Sequence, residues 1–229
     1  MVMLEVSHIS KIYRKKVVLS DASFSASEGK CVGILGKNGT GKSTLLSILA
    51  GILKPDSGSS VWQGRNLLTD AKFRNRVQGY VPQGIPLFPE LSALDNLSLW
   101  YPAKKSSLED SLSSGILQRL GIRDFIHTPV SKMSGGMKKR LSIACAVAND
   151  PEILLLDEPS ASLDIICKEQ ILGYLGEFCA GGGTAILVTH DIQEIEFCDS
   201  CYMLSSGKLE PYRYTGDVKA LVRDLENSI

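Results

Sequence analysis

One short glycine-rich stretch has the residues needed to bind a chain of phosphates. Residues 36–43 read GKNGTGKS and match the pattern G-x-x-x-x-G-K-[ST] at every fixed position. Glycines let a loop wrap with its backbone N–H groups pointing inward, and the helix that follows directs its positive end at the same point. Lys42 adds a charge for the β- and γ-phosphates, and the Ser43 hydroxyl can bind Mg²⁺. The residues predicted to bind a nucleoside triphosphate are Gly36, Lys37, Asn38, Gly39, Thr40, Gly41, Lys42, Ser43 and Thr44.

A pair of acids could supply the remaining chemistry of such a site. Residues 153–156 are Ile-Leu-Leu-Leu, and Asp157 and Glu158 follow directly. A carboxylate at the end of a buried strand is poorly placed unless it meets a cation or hydrogen-bond donors. Asp157 is therefore predicted to complete the Mg²⁺ shell, through a water molecule. Glu158 faces a different way and is predicted to accept the proton of the attacking water.

Apolar runs predict the strands that position these residues. Residues 31–35, 153–156 and 185–189 are apolar almost throughout, which predicts strands covered on both faces. Between the last two runs, apolar residues at helical spacing predict a helix that the three glycines of residues 181–183 would end. Buried strands in strand–helix–strand order predict a parallel α/β core.

Other patterns place elements around this core. Apolar and polar residues alternate over residues 4–7 and 22–27, which predicts an antiparallel sheet with one buried face. Residues 83–132 have the pattern of a mostly helical insertion between two core strands, and residues 208–229 form a short tail. A helix is predicted directly after the phosphate-binding loop, with these residues on one face: Leu45, Ile48, Leu49 and Ile52.

Composition narrows the class of protein. The chain has 229 residues, of which 44% are hydrophobic and 22% are charged, so we expect a soluble globular protein. Lys and Arg together number 25, as do Asp and Glu, and this balance gives no support to nucleic-acid binding. No apolar run approaches the roughly 18–20 residues that a bilayer-spanning helix needs. The N-terminus lacks the pattern of a signal peptide.

The cysteines favour a reducing compartment. Six cysteines are scattered along the chain and do not resemble a disulfide framework. Cys198 and Cys201 have the spacing C-x-x-C, which zinc-binding and redox motifs share. Because a second such pair is missing from the sequence, buried thiols are favoured over a zinc or redox role.

These motifs, in this order, resemble those of the nucleotide-binding domains of the ATP-binding cassette (ABC) superfamily, from about Leu4 to Gly207. The resemblance implies an α/β fold, with a P-loop NTPase parallel-sheet core, an N-terminal antiparallel β subdomain and a helical insertion subdomain. It implies a single cassette domain over residues 1–229. The expected subdivisions are a core of residues 1–82 and 133–207, an insertion of residues 83–132 and a tail of residues 208–229.

The resemblance also assigns roles to residues around the phosphates. Tyr13 matches the aromatic residue that stacks on adenine in this family. Gln83 matches a glutamine that reaches Mg²⁺ and the lytic water and ties the core to the insertion. His190 matches a switch histidine that senses the γ-phosphate. The implied catalytic residues are Lys42, Gln83, Glu158 and His190, and the implied metal ligands are Ser43, Gln83 and Asp157.

A second anion site is implied by residues 133–138, which read MSGGMK and resemble the family signature LSGGQ. The Ser134 hydroxyl and the N–H groups of Gly135 and Gly136 would face phosphate at the start of a helix. Met133 and Met137 depart from the pattern. Met137 lacks an amide that could touch the ribose, so we expect modest nucleotide affinity. The residues implied to contact the opposite subunit's ATP are Ser134, Gly135, Gly136 and Met137.

Two further positions belong to loops near the acids. Asp164, in residues 160–164, matches the loop that carries an aspartate across the dimer interface, although Ile165 stands where most relatives have proline. Asp191 is followed three residues later by Glu194, and this spacing predicts a helix capping box.

The resemblance implies a Mg²⁺-dependent ATP hydrolase that works as a dimer. One nucleotide can use both anion sites only if they meet around the same γ-phosphate. The resemblance implies that they do so between two subunits arranged head to tail, which we expect to form a homodimer. A single cassette without a membrane segment resembles the separately encoded ATPase subunit of a bacterial-type transporter. We expect it in the cytoplasm, attached to the inner face of the cell membrane through a separate integral membrane permease. Residues 87–91, LFPEL, favour export over import, and the sequence does not identify the substrate.

The alternatives are soluble ABC-type ATPases of translation or of DNA maintenance. Relatives in translation carry two cassettes joined by a charged linker, and relatives in DNA maintenance divide the cassette with a long coiled coil. The sequence shows neither feature, and no nucleic-acid partner is expected. A non-enzymatic scaffold is the third alternative, which the complete set of Asp157, Glu158 and His190 disfavours.

Overall fold

The structure, a computed structural model, describes residues 3–101, 105–161 and 163–228. Within these ranges the chain forms an antiparallel sheet, a mainly parallel sheet and the helices that cover them. The strands are β1 (Met3–Tyr13), β2 (Lys16–Ser27), β3 (Cys31–Leu35), β4 (Ser57–Trp62), β5 (Arg65–Asn66), β6 (Gln78–Val81), β7 (Ile153–Asp157), β8 (Thr184–Val188), β9 (Ser200–Ser205) and β10 (Lys208–Tyr212). The helices are α1 (Lys42–Leu49), α2 (Ala71–Val77), α3 (Ala93–Ser98), α4 (Lys105–Ser114), α5 (Ile116–Arg119), α6 (Gly135–Ala146), α7 (Ile165–Ala180), α8 (Ile192–Phe197) and α9 (Val218–Asn227).

The N-terminal sheet is antiparallel, as the alternating pattern predicts. Its strand order is β2-β1-β4-β5, and Leu4 and Val6 of β1 pair with Ala26 and Phe24 of β2. All four side chains are buried, because residues two apart in a strand point to the same face. The sheet therefore covers one side of the molecule with its apolar face inward.

The second sheet carries the predicted parallel core. Its strand order is β10-β9-β3-β8-β7-β6, with β3, β6, β7, β8 and β9 parallel and β10 antiparallel at one edge. All residues of β3, β7 and β8 are buried, which confirms the prediction of strands covered on both faces. Ile153 and Leu155 pack toward α1, whereas Leu154 and Leu156 pack toward α6 and α7. Parallel strands place their carboxyl ends at one edge, so this sheet gathers the residues that follow β3, β6, β7 and β8.

The helix after the phosphate-binding loop is shorter than predicted. Leu45, Ile48 and Leu49 are buried on one face of α1, as expected. The prediction that Ile52 continues this face is wrong, because α1 ends at Leu49 and the Ile52 side chain is 70% exposed. The cause is Gly51, whose φ of +73° lies in the left-handed region and turns the chain away from the helix axis.

Between β6 and α6 the described residues form helices, turns and one isolated β-bridge between Ser92 and Pro129. The helical pattern predicted for this segment corresponds to α3, α4 and α5, and Ser92 caps α3 with a complete capping box to Asp95. Residues 102–104 of the predicted insertion lie outside the described residues. The assignment of residues 83–132 as a separate subdivision stays a prediction.

The C-terminal segment contains more structure than a tail. β9 and β10 form a hairpin, and the amphipathic helix α9 follows it. Leu221 and Leu225 of α9 pack against Leu35, Ile195 and Met203, next to the end of β3. None of the helices in the described part of the chain is long and apolar enough to cross a membrane.

Candidate nucleotide-binding site

The predicted phosphate-binding loop lies between β3 and α1, where its backbone takes conformations that glycine favours. Gly36, Gly39 and Gly41 have φ of +149°, +84° and +109°. A Cβ on Gly41 would lie 2.8 Å from Val18 Cγ1, so that position has no space for a side chain. Gly41 is also the N-cap of α1 and makes no side-chain capping bond, which leaves the first N–H groups of the helix for a ligand.

The Lys42 side chain lies inside the loop that precedes it. Lys42 Nζ donates to Gly36 O at 2.6 Å and to Lys37 O at 3.0 Å, and the residue is only 6% exposed. Burial lowers the pKa of Lys42, while the carboxylates of Glu158 and Asp157 act in the opposite direction. The ammonium is therefore desolvated and faces acids, and an anion placed beside it would be held more strongly than in water.

Asp157 has the arrangement expected of a metal ligand. It ends β7, is 2% exposed, and its Oδ1 is a buried oxygen without a hydrogen-bond partner in the described structure. Burial raises the pKa of Asp157, and a hydrogen bond from Ser43 partly offsets this rise. A buried carboxylate oxygen without a partner is costly, and a divalent cation shared with the Ser43 hydroxyl would remove that cost.

Glu158 lies where two other predicted residues, Gln83 and His190, converge. Gln83 Nε2 donates to Glu158 Oε2 at 2.9 Å, and His190 Nδ1 lies 3.4 Å from Glu158 Oε1. Glu158 itself has φ of +48°, a left-handed conformation that is unfavourable for a residue with a side chain. This conformation comes directly after β7, which ends at Asp157, and the Glu158 N–H still donates to Val188 O at 2.9 Å.

A cavity of about 380 Å³ joins these groups to the phosphate-binding loop. Its lining residues are Val18, Asn38, Gly39, Gly41, Lys42, Ser43, Thr44, Gln83, Glu158 and His190. Val18 was missed by the sequence reasoning, which had no signal for it beyond its place in a strand. Tyr13 does not line this cavity; it lies at the end of β1, 44% exposed, with Lys11 Nζ 5.6 Å from its ring centroid. Its role in stacking on adenine stays a prediction.

Comparison with known proteins identifies the family. The profile described as ABC transporter matches residues 19–161, which include the phosphate-binding loop and both acids. The chain belongs to the ABC transporter family. It is an ABC-type ATP-binding cassette, and the predicted P-loop NTPase fold is confirmed.

Relatives of this cassette are named as ATP-binding proteins of export, import and resistance. It is 35% identical over 211 residues to Nod factor export ATP-binding protein I of Rhizobium etli, covering 91% of this chain and 67% of the relative. It is 33% identical over 216 residues to the linearmycin resistance ATP-binding protein LnrL of Bacillus subtilis, covering 90% and 68%. An import protein is similar too: the spermidine/putrescine import ATP-binding protein PotA of Bacteroides thetaiotaomicron is 34% identical over 211 residues, covering 90% of this chain and 45% of the relative.

Solved structures of cassettes match almost the whole chain. A dimeric cassette in a post-hydrolysis state, bound to ADP and Pi, has a TM-score of 0.81 and 28% identity, covering 92% of this chain and 99% of that chain. A nucleotide-free cassette has a TM-score of 0.84 at 23% identity, covering 99% and 97%, and this match supports the fold alone.

The signature of the cassette forms the start of α6. Ser134 is its N-cap, and Ser134 Oγ accepts a hydrogen bond from Met137 N at 3.2 Å. Ser134 and Gly135 are exposed, whereas Gly136 is buried, and a Cβ there would lie 2.5 Å from Cys167 Sγ. Met137 is partly buried and packs against the core. None of these residues lines the cavity at the phosphate-binding loop of the same chain.

Asp164 has a structural role that its sequence motif did not indicate. It is the N-cap of α7, where its carboxylate accepts a hydrogen bond from Cys167 N at 2.9 Å. This N–H group lowers the pKa of Asp164. Contact of Asp164 with a second subunit stays a prediction, and Ser162 of the same loop lies outside the described residues.

The predicted capping box at α8 is wrong. Asp191 is the N-cap and accepts from Gln193 N at 3.0 Å, but Glu194 does not reach back to it. Glu194 is 1% exposed, and its carboxylate accepts from Ser160 N at 3.1 Å. The loop after Glu158 passes close to α8, so it provides Glu194 with a donor that lies outside its own helix. Burial raises the pKa of Glu194.

Lys139 connects the signature helix to the segment that carries Gln83, a link that the sequence reasoning missed. Lys139 Nζ donates to Pro82 O at 3.2 Å, and the residue is 5% exposed. Burial lowers the pKa of Lys139, and Asp157, Glu194 and Glu158 oppose that effect. In the sequence, Lys139 is the middle one of three consecutive basic residues, and this pattern does not identify a buried lysine or its partner.

The cysteine pair with C-x-x-C spacing lies at the start of β9, beside β3, and neither cysteine lines the nucleotide cavity. Cys198 Sγ is 3.6 Å from Cys31 Sγ, and the cysteines of the described residues are free thiols. The hydrogen bond with Cys198 and burial raise the pKa of Cys201. No group of three or more His, Cys, Asp or Glu side chains in the described ranges could hold a metal ion.

Proposed function

We propose that this cassette hydrolyses Mg²⁺-bound ATP at the cavity described above and that two copies share each nucleotide. Hydrolysis would drive export by a separate membrane subunit. The observation that carries the proposal is the convergence of Gln83, Glu158 and His190 on the cavity of the phosphate-binding loop. A phosphate chain in the loop would place its terminal phosphate beside these three residues.

The described residues fit Mg²⁺. Asp157 offers a buried oxygen without a partner in the described structure, Ser43 is the second residue of α1 and hydrogen-bonds to Asp157, and Gln83 follows β6. These oxygens are ligands of the kind that Mg²⁺ prefers, and bound Mg²⁺ would neutralise charge on the β- and γ-phosphates. Lys42 contributes a further positive charge inside the loop.

Glu158 is the proposed general base. Its Oε2 is oriented by Gln83 and its Oε1 lies near His190, so the carboxylate is fixed at the rim of the cavity. A water molecule between Glu158 and the γ-phosphate could give its proton to the carboxylate as it attacks. His190, which is exposed and lies on the Oε1 side of Glu158, would contact the γ-phosphate.

The second copy would supply the signature. Ser134 and Gly135 are exposed at the start of α6, and none of the four signature residues reaches the cavity of its own chain. A head-to-tail arrangement of two copies would bring one α6 start to the other copy's γ-phosphate. A similar cassette, solved as a dimer with ADP and Pi, supports this arrangement.

The membrane subunit would dock beside Gln83. A groove of about 550 Å³ separates the core from the helical insertion, and its lining includes Ile52, Leu87 and Trp100. Ile52 and Trp100 are 70% and 50% exposed, which suits a surface that a partner covers. The name of the relative in Nod factor export favours export. Through its membrane subunit, the cassette would lie at the inner face of the cell membrane.

The test is steady-state ATP hydrolysis by the wild-type chain and by Glu158→Gln. We expect the variant to keep ATP binding and to lose hydrolysis by roughly 10²–10⁴-fold, because only the proton acceptor is removed. Glu196→Gln, which changes an exposed glutamate of α8, is the matched control and should keep the wild-type rate. Equal rates in the wild type and Glu158→Gln would remove Glu158 from the mechanism.

A further inference from the structure

The C-terminal helix contacts the phosphate-binding loop directly. The backbone N–H of Lys37, the second residue of the loop, donates to Ser228 Oγ at 3.2 Å. Ser228 Oγ in turn donates to Leu225 O at 2.7 Å, and the residue is only 3% exposed. The Ser228 hydroxyl therefore donates its proton to α9 and accepts a hydrogen bond from the loop.

The helix that presents Ser228 is anchored along its length. Asp217 caps its start by accepting from Lys219 N at 2.8 Å and from Ala220 N at 3.2 Å. Leu221 and Leu225 pack against the cluster around Leu35, the last residue before the loop. Ser228 is thus held by packing that does not involve the loop itself, which lets it act as a fixed point for Lys37.

The Lys37 peptide group is also where the loop binds its own lysine. Lys37 O accepts from Lys42 Nζ at 3.0 Å, from Thr40 Oγ1 at 2.9 Å and from Thr40 N at 3.3 Å. A phosphate chain in the loop would compete with this carbonyl for the Lys42 ammonium. As Lys42 moved to the phosphates, Lys37 O would lose one of its donors, while the N–H of the same residue would stay bonded to Ser228.

We propose that Ser228 is a positioning residue for nucleotide binding: by holding the Lys37 N–H, it keeps the phosphate-binding loop in its binding conformation when Lys42 turns to the phosphates. α9 is then part of the nucleotide site rather than an appended tail. A loop that is already ordered loses less conformational entropy on binding, so it binds more tightly. The inference rests on the proposed function of the loop.

The first test compares ATP affinity in the wild type, Ser228→Ala and Ser228→Thr by calorimetric titration. Without this bond the free loop can leave its binding conformation and must be ordered again when ATP binds, so we expect ATP binding to weaken about fivefold, which corresponds to about 1 kcal/mol. The turnover number kcat should stay within about twofold, because this bond is the same in the ground and transition states. Ser228→Thr keeps the hydroxyl and should restore wild-type affinity.

The matched control is Ser113→Ala in α4. Ser113 Oγ donates to Glu109 O at 2.8 Å, so this variant removes the same type of hydroxyl–carbonyl bond in a helix that does not line the nucleotide cavity. It should leave ATP affinity unchanged. Amide hydrogen exchange at Lys37 gives a second readout that needs no nucleotide: the rate should rise in Ser228→Ala and stay slow in Ser113→Ala and Ser228→Thr.

Two results would overturn the inference. One is wild-type ATP affinity together with slow Lys37 exchange in Ser228→Ala. The other is failure of Ser228→Thr to restore both, which would assign the effect to packing rather than to the hydroxyl. An inactive wild type would contradict the proposed ATPase function and leave the Lys37 exchange test standing, so the two failures are distinguishable.

Discussion

Two helices of the cassette begin at glycine-rich turns, and they differ in whether a side chain caps their first backbone N–H groups. α1 begins after Gly41, which offers no side chain, so the first N–H groups of the helix have no cap. α6 begins after Ser134, whose hydroxyl caps Met137 N at 3.2 Å. The first site is surrounded by Lys42, Asp157 and Glu158, whereas the second is exposed at the surface.

The difference indicates how the two sites share one nucleotide. The α1 start has no side-chain cap and contains a buried lysine, so it can bind phosphate within a single chain. The α6 start is already capped and carries no buried charge of its own at the turn, so it adds binding energy only when another copy brings phosphate to it. ATP affinity should therefore depend mainly on α1, and association of two copies should depend on α6.

The largest effect is expected when the buried lysine is removed. In Lys42→Ala the phosphates lose a charge-assisted hydrogen bond in a desolvated site, and ATP binding should weaken by about 100-fold. Lys72→Ala, which changes an exposed lysine of α2, is the control and should bind normally. Calorimetric titration with ATP measures both. Near wild-type affinity in Lys42→Ala would contradict the claim that ATP affinity depends mainly on the α1 site.

A smaller effect is expected at the signature. Ser134→Ala should lower ATP hydrolysis roughly tenfold, through loss of one donor to a charged phosphate, yet leave ATP binding by the single chain unchanged. Ser92→Ala is the matched control. It removes the N-cap of α3 and so also loses a capping hydrogen bond, but at a helix other than the signature helix. It should lose about 1 kcal/mol of stability and keep hydrolysis. Weaker ATP binding by monomeric Ser134→Ala would contradict the division of roles.

The sequence predicted the parts of the site that depend on local patterns. Apolar runs identified β3, β7 and β8, and the carboxyl ends of parallel strands necessarily meet at one edge. This is why Glu158, which follows β7, lies at the same edge as the phosphate-binding loop, which follows β3. The roles of Gln83 and His190 came from the resemblance to the cassette family.

The parts that could not be predicted depend on packing between distant segments. Ser228 meets Lys37 across 191 residues of chain, and no spacing rule connects a serine at the end of an amphipathic helix to a loop peptide. The prediction of a capping box at Asp191 was wrong for the same reason. Glu194 accepts a hydrogen bond from the loop after Glu158, a contact between segments that are distant in the sequence. Burial of Lys139 against Pro82 is a third contact of this kind.

The most direct test of the shared nucleotide is sedimentation velocity of Glu158→Gln with ATP and Mg²⁺. We expect Glu158→Gln to be a monomer without nucleotide and a dimer with ATP, because the variant binds ATP and does not cleave it. Adding Ser134→Ala to the same chain should shift the equilibrium back toward the monomer. A Glu158→Gln chain that stays monomeric at every protein concentration with saturating ATP would contradict the central claim.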